Sequence, residues 1–110
     1  AAPSRRARAL AACPNVACKL SGLVTEAVPG APPAAFGPVA DVILSAFGAD
    51  RVMFGSDWPV CLLASDYPGV IGLARALTAR RSAAERAAVF AGTAARVYWI
   101  SDRPEGVQWP

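Results

Sequence analysis

The chain has no histidine. That absence excludes Ser-His-Asp and Cys-His nucleophile systems, which rely on an imidazole to carry the proton, and it removes the commonest protein metal ligand. Charge is also scarce: 17% of residues are Asp, Glu, Lys or Arg, against about 25% in an average soluble domain. Eleven Lys plus Arg oppose eight Asp plus Glu for a net charge of +3, and no basic run is longer than Arg5-Arg6 or Arg80-Arg81. So mild and dispersed an excess, without interleaved stacking aromatics, argues against nucleic acid as a partner. No apolar run approaches the roughly 18 residues of a membrane span, so no membrane partner is expected. The opening AAPSRRARALAAC lacks an uninterrupted apolar stretch, so it is not read as a signal peptide. Cys13, Cys18 and Cys61 are odd in number and form no CxxC. They read as reduced thiols packed as small hydrophobes in a cytoplasmic protein, without a structural zinc.

What the chain does have is a short apolar run that drives straight into an acid, Arg51-Val52-Met53-Phe54-Gly55-Ser56-Asp57-Trp58-Pro59-Val60. A carboxylate at the mouth of a buried strand is costly unless something there uses it. Pro59 lacks a donor, so the strand should stop near Ser56 and leave Asp57 and Trp58 at its carboxyl end. In parallel α/β folds, ligands bind and chemistry happens at that end.

Residues 51–67, RVMFGSDWPVCLLASDY, resemble the last barrel strand and following loop of the amidohydrolase-related family, in particular its fuconolactonase-like lactone hydrolases. Residues 15–27, NVACKLSGLVTEA, resemble the preceding strand, and residues 84–98, AERAAVFAGTAARVY, the closing helices. The order is right across residues 15–100. A (β/α)8 TIM barrel typically takes about 250 residues, whereas this chain has 110. The resemblance therefore implies an α/β fold that is the C-terminal fragment of such a barrel, with its last two parallel strands and flanking helices. Residues 1–100 would be the partial barrel domain and residues 101–110 a polar, proline-bounded, loosely ordered tail.

The pattern along the chain is a βα alternation. A helix is expected over residues 4–12, ended by Pro14, then a strand over 16–20. Residues 28–38 hold four prolines and two glycines, which exclude regular structure. A helix from Pro38 to Phe47 would bury Val39, Val42, Ile43 and Phe47 and stop at Gly48. The strand 51–56 follows, then a loop and a helix over 67–79 capped by Ser65 or Asp66. Ser82 to Glu85 reads as a capping box for a helix that turns Ala88, Val89 and Phe90 to the core. Gly92 would end that helix, Thr93 would cap a last turn, and Arg96 would make a helix-terminal ion pair.

Strand alternation assigns the faces. If Asp57 points inward, so do Met53 and Gly55, while Val52 and Phe54 meet the helices. On the earlier strand Val16, Cys18 and Leu20 face the helices, and Ala17, Lys19 and Ser21 face inward. Lys19, the only lysine, could meet an anionic or carbonyl oxygen or pair with a structural carboxylate. Trp58 is either a packing plate or a substrate wall, and Asp57 either a functional acid or a cap for its own loop. Glu26, beside Thr25, reads as a first-turn acid or an exposed loop residue in preference to a catalytic acid.

The resemblance implies a hydrolase acting on a lactone or similar cyclic ester. Asp57 would be its general base or a ligand to a divalent metal, zinc or manganese, in the intact enzyme, and Lys19 and Trp58 would contact a small lactone or carboxylate substrate. One carboxylate cannot hold a catalytic zinc, which takes three protein ligands, so no metal and no activity are expected in the isolated chain. The competing reading is a non-enzymatic remnant, or a partner subunit that completes a barrel, associating with itself or another chain through open strand edges.

Overall fold

The computed structural model describes residues 2–100, and their side chains from Ser4 onward; the tail expected over 101–110 lies outside the described residues. Helix α1 (Ala2–Ala11) leads into β1 (Cys18–Leu20) and the single turn α2 (Leu23–Glu26). A 3-10 turn (Pro33–Phe36) opens α3 (Gly37–Phe47), and a second (Ala49–Arg51) enters β2 (Val52–Phe54). A third (Val60–Leu63) precedes α4 (Tyr67–Leu77); then α5 (Ala83–Ala87), a π-helical turn (Ala88–Gly92) and α6 (Thr93–Val97) run on as one rod.

The two strands are parallel neighbours, with Cys18 opposite Val52, Lys19 opposite Met53 and Leu20 opposite Phe54. The Gly55 amide donates to the Leu20 carbonyl at 3.1 Å and carries the ladder one step further. Both strands are shorter than expected because their first residues are used in turns. The Val16 amide bonds the Cys13 carbonyl at 3.1 Å, and the Arg51 amide bonds Gly48 at 3.0 Å. Likewise the 3-10 turn at residues 33–36 shows that the proline-rich stretch is not wholly irregular.

The face parity holds. Leu20 and Val52 are buried against Ala40, Leu44 and Phe47 of α3, Ala11 of α1 and Val89, with Cys18 and Phe54 packed alongside. The Phe54 and Phe90 rings sit 5.4 Å apart, tilted by 46°. Burial pushes the Cys18 thiol above its ordinary value, which keeps it a neutral apolar group. Val39 departs from the expected stripe at 49% exposed. The face of α3 that meets the strands runs through Ala40, Leu44 and Phe47, spaced four and three apart, and Val39 lies a third of a turn outside it.

Helix ends follow side-chain chemistry. The Asp66 carboxylate accepts from the Gly69 amide at 2.7 Å and starts α4, and Ser82 and Glu85 form the reciprocal capping box of α5. Arg51 performs the same service for α1 and α3 from a distance. Its guanidinium donates to the carbonyls of Ala11 (2.8 Å), Cys13 (3.0 Å), Val16 (3.1 Å) and Phe47 (3.2 Å), clamping both helix ends to the start of β2.

Two expectations about the last helices are corrected. Gly92 does not stop the helix: it keeps right-handed helical dihedrals, and the chain passes through the π-turn into α6. Thr93 caps nothing in its own helix. Its buried hydroxyl donates to the Ala49 carbonyl at 2.7 Å, joining α6 to the entry of β2. Thr93→Val keeps the shape and deletes this bond, so it should cost about 1–2 kcal/mol, read as a lowered urea midpoint; an unchanged midpoint would show that the bond contributes nothing. Arg96 is exposed and has no ion pair with any described residue; the pairs found among them are those of Arg81 with Asp41 and Glu85. No described helix is long and apolar enough to cross a membrane.

Candidate functional site

The carboxyl ends of β1 and β2 deliver Ser21-Gly22 and Gly55-Ser56-Asp57 to the same place. Asp57 adopts φ 56°, the left-handed region that Asp and Asn tolerate better than other side-chain-bearing residues. This reversal ends the strand, and the loop is then closed by the Cys61 amide bonding the Asp57 carbonyl at 2.7 Å and the Trp58 amide bonding Ser56 Oγ at 3.2 Å. The Trp58–Pro59 peptide is cis.

Glycines let the two strand ends close up. Gly22 has φ 72°, and a Cβ there would lie 3.6 Å from Asp57 Oδ2, so the β1 backbone passes directly beside the carboxylate. A Cβ on Gly55 would lie 3.0 Å from Ser21 Cβ and Oγ, tighter than most real Cβ contacts, so the neighbour would have to give. Asp57 lines a cavity of about 20 Å³ together with Ser21, Gly22, Gly55 and Ser56, and the rest of its wall is apolar, from Leu20, Leu23 and Phe54 to Val70, Leu73 and Leu77 of α4. That volume is about one water molecule. A wider cleft of about 600 Å³ adjoins it through the shared residues Val24 and Leu73, and is lined also by Thr25, Phe36 and Leu63. Pockets for small molecules commonly fall between about 300 and 1,000 Å³. Thr25 Oγ1, in the wall of this cleft, is buried without a partner.

The other two site residues read from the sequence lie apart from the cavity. Trp58 follows Asp57 in the chain, but it is 62% exposed. Lys19 shares the strand face of Ser21, yet its Nζ rests 5.4 Å from the centroid of the Tyr98 ring at the end of α6, a cation–π contact. It does not line the cavity of Asp57. Glu26 is exposed at the end of α2 and does not line the cavity of Asp57. Gly22 and Ser56 are site residues that sequence reasoning did not single out. The Ser-Gly pair just past an apolar run was the available signal for Gly22, since glycine is the residue that adopts a left-handed turn without strain.

Asp57 therefore lies beside a water-sized, largely apolar cavity at the carboxyl ends of two parallel strands, the end at which parallel α/β folds bind their ligands. Residues 1–100 match the amidohydrolase family model. The chain is 53% identical over 101 residues to an L-fucono-1,5-lactonase of Burkholderia multivorans, covering 86% of this chain and 34% of that protein. It is 44% identical over 103 residues to an L-fucono-1,5-lactonase of Burkholderia ambifaria, covering 90% of this chain and 35% of that one. A crystal structure of an amidohydrolase from Burkholderia multivorans with bound zinc superposes with TM-score 0.78 at 51% identity, over 84% of this chain and 34% of that chain. The chain belongs to the amidohydrolase family, and it spans about a third of the length of the curated relatives it matches.

Proposed function

We propose that this chain supplies the last two strands of a (β/α)8 barrel to an enzyme that hydrolyses a sugar lactone, with Asp57 as its general base. The observation that carries the proposal is the Asp57 carboxylate on a cavity sized for one water, between two strand ends held close by Gly22 and Gly55. Water held there by Ser21 and Ser56 gives its proton to Asp57 as its oxygen attacks the lactone carbonyl carbon. The ring C–O bond then breaks, and the alkoxide recovers the proton to give the hydroxy acid. The adjoining cleft is large enough for a sugar lactone, and Trp58 would contact the substrate by swinging in from its exposed position beside Asp57. Lys19 would reach a carbonyl or carboxylate oxygen of the substrate on releasing Tyr98.

Among the described residues no three His, Cys, Asp or Glu gather into a group that could hold an ion, whereas a catalytic zinc takes about three protein ligands. For the complete enzyme we assign a divalent metal, zinc or manganese, whose further ligands come from outside these residues. The 110-residue chain given zinc or manganese is accordingly expected to hydrolyse lactone no faster than buffer; metal-stimulated turnover would show that its own groups suffice. The assignment of substrate is tested by a chimera in which residues 1–100 replace the matching part of the Burkholderia multivorans lactonase. It should hydrolyse L-fucono-1,5-lactone, and a folded chimera that does not would remove the lactone reading.

A further inference from the structure

We infer that the cleft beside the Asp57 cavity holds a neutral, hydroxyl-bearing part of the substrate, and that Thr25 is the residue that selects for it. The inference rests on the lactone reading above and adds the side chain that sorts one lactone from another. The cleft, of about 600 Å³, lies between the segment after β1 and the segment after β2, against Gly69 and Leu73 of α4. Its wall is largely apolar, with Val24, Phe36 and Leu63 in it, and no charged side chain lines it. A phosphate or carboxylate would find no counter-charge there. The polar side chains on the wall are those of Thr25 and Ser65. Thr25 Oγ1 is buried and has no hydrogen-bond partner among the described residues. Buried hydroxyls are nearly always paired, so an orphan in the wall of a ligand-sized cleft is a group kept for something that arrives. A helical Thr has two staggered χ1 wells open to it, and turning from one to the other re-aims the hydroxyl. The backbone sets its distance from the chemistry. In α2 the Glu26 amide bonds the Gly22 carbonyl and the Ala27 amide bonds the Leu23 carbonyl, both at 3.1 Å. That single turn has Gly22 beside Asp57 Oδ2 and Thr25 on the cleft. Three residues of helix rise about 4.5 Å, a span that one sugar ring covers. A lactone whose carbonyl lies at Asp57 therefore extends a ring hydroxyl toward Thr25, which gives it the hydrogen bond that a plain lactone cannot take.

The experiment places Thr25→Val, which keeps the shape and removes the hydroxyl, and Thr25→Ser, which keeps the hydroxyl, in the lactonase chimera. Each is assayed on L-fucono-1,5-lactone and on δ-valerolactone, a lactone of the same ring size without hydroxyls. The ratio of the two kcat/KM values should favour the sugar lactone in the parent. Thr25→Val should shrink that ratio about fivefold to tenfold, through KM more than kcat, the size of one neutral hydrogen bond to substrate. Thr25→Ser should recover most of it. A second readout needs no activity. In the 110-residue chain a buried hydroxyl without a partner is a cost to folding, so Thr25→Val should raise the urea midpoint by about 0.3 M or more. A lowered midpoint would show that the hydroxyl is spent inside the fold, on a bound water or a backbone group, and would overturn the inference. Equal losses on the two lactones, or no loss on either, would overturn it as well and leave the lactone reading standing. A folded parent chimera inert on both lactones would remove that reading, and this inference with it.

Discussion

Arg51→Met should destabilise this chain by about 3 kcal/mol. Hydrogen bonds from a charged donor are worth about 1.5–3 kcal/mol each, and removing one partner strands the other in a desolvated place. Arg51 serves four carbonyls at once, those of Ala11, Cys13, Val16 and Phe47, and the half-buried guanidinium lies 5.3 Å from the Phe47 ring centroid. Because part of this network faces solvent, the expected total is far below the sum of four such bonds. Methionine fills the volume without any donor, so the ends of α1 and α3 lose their common anchor. Arg51→Lys should recover little, since an ammonium offers donors from one point and cannot span the fork that reaches carbonyls on two helices. With a urea m-value of about 1–3 kcal/mol/M, the midpoint should fall by roughly 1 M or more. A shift below about 0.3 M would show that water replaces the clamp at no cost.

The second large effect is on rate. Asp57→Asn in the lactonase chimera is expected to cost at least about a hundredfold in kcat, the usual size of a lost general base. Asparagine is the informative replacement because it retains the side-chain shape and, like aspartate, tolerates φ 56°. Alanine at the same backbone angle adds about 1–2 kcal/mol of strain, which would mix a folding defect with a catalytic one. The loop bond from the Cys61 amide goes to the Asp57 backbone carbonyl and survives either change.

Much of this site could be read from the sequence because it is local. The run from Val52 to Phe54 ends in an acid two residues before a proline, which fixes both the strand and the residue left at its end. Period-two alternation then assigns Leu20 and Val52 to the core face, where they lie. What escaped the reading depends on contacts distant in sequence. Nothing local tells Arg51 that its acceptors sit 35, 38 and 40 residues upstream, nor Thr93 that its acceptor is 44 residues back at Ala49. Capping chemistry made Thr93 look like the start of a turn, and glycine statistics made Gly92 look like a stop; tertiary packing of Val89 and Thr93 against the strand entry overrode both. Lys19 was placed on the correct strand face, but the aromatic ring that holds its ammonium arrives from α6.

The central claim is that Asp57 performs chemistry and does more than cap its own loop. The most direct measurement is lactone turnover by the chimera with and without the substitution Asp57→Asn, the melting midpoint being recorded on the same samples. The expected result is a kcat reduced at least about a hundredfold and a stability changed by no more than about 1 kcal/mol, the range for a carboxylate that is still partly exposed. Undiminished turnover in a folded Asp57→Asn chimera would contradict the claim and leave the acid as a loop cap alone.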